Sequence, residues 1–204
     1  MMKLLTFFFG LFGRFQLWRF SRRNTLVGRP ARISGPVLLN SPGGGRLTIG
    51  EGVELRDFAV DFSRDGSVTL GAGVVVRGRL RLGRGGHVEI GAGTRFNKPC
   101  WMNASEGRTI RIGENCLFAN VRIRTSDIHK IIDKKTRKRL NPPADVTIGD
   151  RVWIAERASI YKGVTIGADA VVGAHSVVTR SVPAGSVAVG VPAKVVREGI
   201  TWKR

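Results

Sequence analysis

The sequence predicts an all-β fold in which short parallel strands wind into stacked coils, a parallel β-helix. An aliphatic residue returns every six positions from Ile148 to Val182, and a smaller residue follows each of them four positions later. This period matches neither the turn of an α-helix nor the alternation of a simple strand. Three such units would form one triangular coil of about 18 residues. The 27 glycines among 204 residues fit one domain with many tight corners.

The N-terminal stretch is the most apolar part of the chain, and residues 1–27 are predicted to be a separate segment with a short amphipathic helix. Its uncharged run, Leu4 to Gly13, is about half as long as a membrane-spanning helix needs to be. The arginines that follow do not fit the cleavage site of a secretory signal. Residues 3–23 therefore either lie on an anionic membrane surface, or cover the first coil or pack between subunits. Their apolar side would consist of Leu4, Phe8, Leu11, Phe12, Phe15 and Trp18.

The β-helix itself is expected over residues 28–183, followed by a C-terminal tail over residues 184–204. Paired Leu-Gly or Ile-Gly steps recur at intervals of 20 to 22 residues up to Ile112. These intervals predict coils with a small bulge at one corner. The interval from Ile148 to Ile166 is 18 residues, which predicts a regular coil.

One interval does not fit this series, because Ile112 and Ile148 are 36 residues apart, which is one coil plus an insertion. The inserted residues, 124–145, are too polar to continue the core. Loops that project from a rigid scaffold often carry function. This loop contains His129, one of three histidines in the chain, and a run of cations. We therefore expect the functional site there.

The charge of the chain indicates an anionic partner. Lys and Arg number 34 against 15 Asp and Glu, a formal charge of +19, so phosphate, acidic glycans, an acidic carrier protein or anionic lipid would be attracted. Nucleic acid formally belongs to the same class, although we do not expect it as a partner. Six cations form a cluster within the loop and would concentrate an anionic acceptor there. They are Lys130, Lys134, Lys135, Arg137, Lys138 and Arg139.

The two cysteines, Cys100 and Cys116, fall on small-residue positions of the repeat, so we expect both to be buried. Without a disulfide framework the chain suits a reducing compartment. We therefore expect a cytoplasmic protein, which the N-terminal segment could hold at the inner face of the membrane.

The repeats from Ile148 onward, with Pro183–Arg197 after them, resemble the hexapeptide-repeat acyltransferases, in the branch that O-acetylates polysaccharides. The resemblance covers residues 33–198. It implies a left-handed parallel β-helix, a homotrimer, and transfer of an acyl group from acetyl-CoA or an acyl carrier.

The resemblance also implies catalytic residues. Ser126-Asp127-x-His129-x-Ile131 is similar to the loop motif of the polysaccharide-acetylating branch and implies His129 as the general base. Imidazole titrates near neutral pH and can accept the proton of an attacking hydroxyl. Asp127, or alternatively Asp133, could orient the ring. Trp153, within a Val-Trp-Ile motif, would line the acceptor and thioester site, with a simple subunit contact as the alternative.

The donor, by the same resemblance, would occupy the groove between neighbouring β-helices. Backbone groups of Ala155 and Gly173 would bind the pantetheine arm, although Ala155 stands where the family usually has glycine. Arg180, Lys194 and Arg197 would contact the nucleotide phosphates. No metal is expected, because the three histidines are spread over several coils, which does not suit a zinc site.

The leading hypothesis is therefore an acetyl-CoA-dependent O-acetyltransferase that acts on a bacterial cell-surface or exopolysaccharide, or on its lipid-linked precursor. A small-molecule acceptor such as an antibiotic, serine or a sugar nucleotide is the first alternative. A non-catalytic β-helix that binds an anionic polymer through charge is the second. An acyl carrier protein could replace acetyl-CoA as the donor.

Overall fold

The computed structural model describes residues 2–203, with side chains from residue 7 onward. The chain begins with a helix, α1 (Met2–Ser21). The strands, in chain order, are β1 (Thr25–Val27), β2 (Arg32–Ile33), β3 (Val37–Asn40), β4 (Arg46–Ile49), β5 (Glu54–Asp61), β6 (Ser67–Leu70), β7 (Val75–Leu82), β8 (His87–Ile90), β9 (Arg95–Lys98), β10 (Cys100–Ala104), β11 (Thr109–Ile112), β12 (Leu117–Ala119), β13 (Arg122–Arg124), β14 (Val146–Ile148), β15 (Trp153–Ile154), β16 (Ser159–Ile160), β17 (Thr165–Ile166), β18 (Val171–Val172), β19 (Val177–Val178), β20 (Val187–Gly190) and β21 (Ala193–Arg197).

The strands wind into a parallel β-helix of about 7 turns, which confirms the predicted fold class. Its first face is a sheet in the order β1-β4-β6-β8-β11-β14-β17. The second contains β9, β12, β15, β18, β20 and β21, and the third β10, β13, β16 and β19. β5 and β7 are longer, because each turns a corner and contributes to both the second and the third face. Apart from the antiparallel pair β20 and β21, the pairing within these faces is parallel.

The core consists of apolar columns, since parallel register places equivalent residues of successive coils directly above one another. Leu47, Val68, Val88, Ile110 and Val146 form one column, and all are fully buried. In another, the rings of Phe96 and Phe118 stack with centroids 5.0 Å apart. The predicted burial of Cys100 and Cys116 is confirmed, at 3% and 0% exposure. Burial raises the pKa of these thiols to about 12 and about 11, respectively.

Corners of the coils require backbone conformations that few residues adopt. Gly78 is the clearest case, because it lies where β7 turns from one face to the next with φ of 126°. A Cβ atom at this position would come within 1.9 Å of the Cys100 carbonyl oxygen in the following coil. Only glycine therefore allows the two coils to approach at this corner.

The ends of the stack extend slightly past the limits of 28 and 183 predicted for it. β1 already pairs with β4, from Thr25 to Val27. At the other end β20 pairs with β18, so the stack continues to Ala188. The inserted loop runs between the end of β13 and the start of β14, where the sequence places it.

Helix α1 covers the open end of the first coil, one of the alternatives considered for the N-terminal segment. Leu17 and Phe20 are buried there, and the Phe20 ring lies 4.9 Å from that of Phe62. A side chain at Gly13 would meet Ile33 at 2.9 Å, so the small residue permits close packing. The helix ends where the Asn24 side chain donates to the Phe20 carbonyl oxygen at 2.9 Å. Its opposite side, which includes Phe8, is exposed, while the side chain of Leu4 lies outside the described residues.

Candidate active site

The inserted loop leaves and re-enters the stack through a narrow base. The Thr125 amide donates to the Asn103 carbonyl oxygen at 3.0 Å, and the Thr125 carbonyl oxygen accepts from the Ala144 amide at 3.0 Å. The Asp145 carboxylate accepts from the Thr109 amide at 2.9 Å. The loop therefore projects from one corner without separating the coils on either side.

A buried amide side chain organises the part of the loop that holds the candidate base. Asn141 is 8% exposed. Its side-chain nitrogen donates to the Asp127 carboxylate at 2.9 Å and to the His129 carbonyl oxygen at 2.8 Å. Its side-chain oxygen accepts from the Ile131 amide at 2.7 Å. Asn141 thus holds the Asp127 side chain and fixes the backbone at His129 and at Ile131.

His129 itself presents its ring to solvent. Its amide donates to the Asp127 carbonyl oxygen at 2.8 Å, which holds the backbone in a tight turn. Within residues 2–203, no hydrogen bond occupies either nitrogen of the ring. The imidazole is therefore accessible to a hydroxyl group, as a general base must be.

Asp127 was predicted to orient His129, and the structure directs its carboxylate elsewhere. The carboxylate forms an ion pair with Lys162 of the next coil and accepts from Asn141. Partial burial alone would raise the pKa of Asp127, but the hydrogen bonds from Lys162 and Asn141 outweigh it and lower the pKa below its ordinary value. Asp127 is thus an anionic anchor between the loop and the stack. Asp133, the alternative, accepts from Lys135 and Thr136 and stabilises its own turn.

A second anchor joins the loop to the preceding coil. The Glu106 carboxylate accepts from the Ser126 hydroxyl at 2.6 Å and from both terminal nitrogens of Arg139. These hydrogen bonds, that from Arg139 first, lower the pKa of Glu106 to about 2. The Arg139 guanidinium is therefore paired with Glu106 within the protein. The other five cations of the predicted cluster are exposed, namely Lys130, Lys134, Lys135, Arg137 and Lys138.

Trp153 lies on the second face, in β15, whereas the loop leaves the corner between β13 and β14. The polar anchors hold the loop to Glu106 and Lys162, so within one chain it does not fold toward Trp153. The ring of Trp153 is 39% exposed and lies 6.0 Å from the ring of Trp202. The indole of Trp202 donates to the Arg151 carbonyl oxygen, which secures the C-terminal segment against this face.

Of the residues expected to bind the donor, Ala155 and Gly173 follow strands of the Trp153 face, whereas Arg180 lies at the corner from which the loop projects, one coil beyond Lys162. Ala155 and Gly173 are stacked in successive coils, and their amides donate within the stack, to the carbonyl oxygens of Val172 and Ala188, at 2.9 Å each. A Cβ atom at Gly173 would meet the Val189 side chain at 2.6 Å, so a larger residue there would have to displace Val189. Arg180 follows β19, and Lys194 and Arg197 belong to β21; all three side chains are exposed. They remain candidates for phosphate contacts.

The other two histidines of the chain, His87 and His175, lie outside the loop. His87 begins β8 and is half-buried, and its ring pairs with the Ser67 hydroxyl of the previous coil at 2.7 Å. His175 is an exposed corner residue with φ of 59°. Across the described part of the chain, no three His, Cys, Asp or Glu side chains converge as a metal site requires.

Three residues of the site carry no sequence signal that singled them out: Asn141, Lys162 and Glu106. Asn141 precedes Pro142 and Pro143, and this turn-forming composition could have marked it as the end of the loop. Glu106 and Lys162 are ordinary corner residues of neighbouring coils. Their role follows only from the position of the loop between them.

Comparisons with known proteins agree with this architecture. The family model described as bacterial transferase hexapeptide (six repeats) matches residues 145–180. The chain is 34% identical over 130 residues to the polysialic acid O-acetyltransferase of Escherichia coli O1:K1 / APEC, which covers 63% of this chain and 42% of the relative. It is 34% identical over 135 residues to the galactoside O-acetyltransferase of Escherichia coli (strain K12), covering 64% of this chain and 63% of the relative.

The chain therefore spans less than two thirds of the length of each of these two relatives. The crystal structure of the polySia-specific acetyltransferase NeuO superimposes with a TM-score of 0.69 at 31% identity. The superposition covers 89% of this chain and 78% of that one. The similarity thus extends well beyond the regular coils that the family model matches.

Proposed function

Since the chain belongs to the hexapeptide-repeat acyltransferase family, we propose that it transfers the acetyl group of acetyl-CoA to hydroxyl groups of an acidic bacterial surface polysaccharide, or of its lipid-linked precursor. One observation carries this proposal. A loop that interrupts the stack holds an accessible imidazole, His129, on a clamped backbone beside a group of exposed cations.

His129 acts in this proposal as the general base. Its free ring nitrogen takes the proton of the acceptor hydroxyl while the hydroxyl oxygen attacks the thioester carbonyl carbon. A carbon–oxygen bond forms and the carbon–sulfur bond breaks. The imidazolium then returns the proton to the departing CoA thiolate, so that acetyl ester and free CoA thiol are the products. Asn141 contributes by holding the His129 backbone in place before the acceptor arrives.

The acceptor class is proposed from charge. Lys130, Lys134, Lys135, Arg137 and Lys138 are exposed around the base, and an anionic polymer would be concentrated there. The name of the first relative, a polysialic acid O-acetyltransferase, agrees with an acidic glycan. The galactoside relative makes a small neutral acceptor the alternative that an assay must separate.

The site is proposed to form between copies of the chain in a homotrimer. His129 and Trp153 lie at different places around the coil, so one chain alone does not bring the base to the Trp153 face. The loop of one copy would meet the Trp153 face of the next. The donor would lie there, with its pantetheine arm along Ala155 and Gly173 and its phosphates near Arg180, Lys194 and Arg197.

The test is release of free CoA thiol from acetyl-CoA in the presence of polysialic acid, a neutral polysaccharide or a galactoside. We expect release with the acidic polymer, and a loss of about 10²- to 10⁴-fold in turnover on His129→Ala. His175→Asn is the matched control, since it removes an exposed histidine on a corner that tolerates asparagine. Wild-type turnover in His129→Ala would exclude His129 as the base. Release only with the galactoside would move the acceptor to the small-molecule class.

A further inference from the structure

Helix α1 has two apolar sides, and the first coil covers only one of them. Leu17 and Phe20 face the stack, whereas the opposite side presents a continuous row of large apolar side chains to solvent. This row, the aromatic face, consists of Phe7, Phe8, Leu11, Phe12, Phe15 and Trp18. Its members are between 42% and 62% exposed, although their spacing of three and four residues places them side by side. A contiguous apolar patch of this kind marks an interaction surface.

The surroundings of the aromatic face are strongly basic. At 100° per residue, Arg14 lies at one edge of the face, and Arg22 and Arg23 follow directly after the helix. Arg19 projects from within the face, and its guanidinium donates to the Leu39 carbonyl oxygen at 3.3 Å. The Arg22 guanidinium lies 5.6 Å from the centre of the Trp18 ring. Residues 1–50 contain eight Lys and Arg and not one Asp or Glu, whereas every acidic residue of the chain comes later. Glu54 of the next coil pairs with Arg32 at 3.5 Å and offsets part of this charge. This end of the molecule therefore has a strongly positive field.

A groove of about 690 Å³ opens beside the aromatic face, between α1 and the first coil. Leu11 and Trp18 line its helical side, and Arg14, Arg29 and Arg32 lie around it. Its walls are apolar, and cations lie next to them. A phospholipid is complementary to this groove, because its acyl chains are apolar and its headgroup is anionic.

We propose that this end of the β-helix docks on an anionic lipid membrane, with the aromatic face of α1 at the interface and the arginines on the headgroups. The proposed contact is peripheral. No helix in residues 2–203 has the length and hydropathy needed to cross a bilayer. A second copy of the same end is a poor partner, because it would bring two strongly positive surfaces together.

The docking would also set the height of the candidate active site. The loop leaves the fifth coil, four strand spacings from the first. At about 4.8 Å per spacing, His129 stands roughly 19 Å further from the membrane than the first coil does. This inference does not depend on the proposed reaction.

The experiment is flotation of the full chain with vesicles of phosphatidylcholine alone or mixed with phosphatidylglycerol. We expect binding to the mixed vesicles and its weakening by added salt. The double variants Phe8→Ser/Phe15→Ser and Arg22→Gln/Arg23→Gln should each bind roughly tenfold more weakly or worse. Arg64→Gln/Arg84→Gln is the control, because it removes the same charge from exposed corners elsewhere and should bind as wild type does.

Absence of binding to the mixed vesicles would overturn the proposal, as would an equal loss in the Arg64/Arg84 control. Light scattering of each variant gives the oligomer mass. If Phe8→Ser/Phe15→Ser reduced the oligomer and left vesicle binding unchanged, the aromatic face would be a subunit contact. Binding is measured without acetyl-CoA, so failure here leaves the proposed enzyme activity untouched.

Discussion

The stack of coils and the loop between β13 and β14 are held together by different forces. In the stack, columns such as that of Phe96 and Phe118 repeat the same apolar contact in coil after coil. In the loop, a few polar side chains, chiefly Asn141, Asp127 and Glu106, fix a backbone that buries little apolar surface. The comparison indicates that stability resides in the stack and that the geometry of the site is set separately by the loop.

The largest effect is expected in the stack. Phe118→Ala removes a fully buried ring that stacks on Phe96, and it should lower the free energy of unfolding by about 3–5 kcal/mol. Leu117→Ala in the same strand, where the side chain points outward, is the control and should cost less. Urea unfolding followed by circular dichroism measures both. Equal losses would show that the columns do not dominate stability.

Removal of the Asn141 side chain from the loop should have the opposite effect, a loss of activity without a large loss of stability. Asn141→Ala should lower turnover by about ten- to a hundredfold, because the base is no longer held in position. The free energy of unfolding should stay within about 1 kcal/mol of wild type, since the loop opens locally. Hydrogen exchange of the Ile131 amide should become faster while that of β14 does not change. Asn97→Ala, on an exposed strand position, is the matched control. A large decrease in the free energy of unfolding would contradict the conclusion that the loop sets the geometry of the site separately from the stability of the stack.

The smallest effect concerns the second anchor, the pairing of Glu106 with Ser126 and Arg139, whose contribution to holding the loop should depend on pH. The pKa of Glu106 in the folded protein is about 2, below the ordinary value of 4.5. Its carboxylate therefore stabilises the anchored loop above pH 4.5, and this contribution is lost as the pH falls toward about 2. Amides of residues 137–140 should exchange faster in Glu106→Gln than in wild type near neutral pH, and the difference should close on acidification. A difference in exchange rate that persists at the lowest pH would show that a group other than the Glu106 carboxylate anchors the loop.

Much of the stack could be predicted from the sequence, because a column needs an apolar residue at each repeat and this requirement is visible as a period. The six-residue spacing from Ile148, the small positions of Cys100 and Cys116, and the interruption after Ile112 all express it. Most of the aromatic face of α1 was likewise predicted from the spacing of its apolar residues. It lies on one side of the helix, while the second apolar side lies on the stack.

The polar anchors could not be predicted in this way. A hydrogen bond from Asn141 to residues ten or more positions earlier depends on where the loop backbone turns, and periodicity carries no information about that. For the same reason Arg139 was grouped with the free cations, although Glu106 of the previous coil binds it. Asp127 was assigned to His129 by motif, whereas the adjacent coil offers it Lys162.

The narrow base of the loop has a consequence for how the protein can be altered. Ile112 pairs with Ile148 in the same register in which earlier coils pair, so the coil after the loop does not depend on the length of the loop. Residues 126–143 could therefore be replaced as one segment without a change in the register of the stack, with Thr125 and Ala144 kept as the joint and Glu106 and Lys162 matched to the new loop. On the proposed function, a change of acceptor would then require a graft of this loop, and not a redesign of the fold.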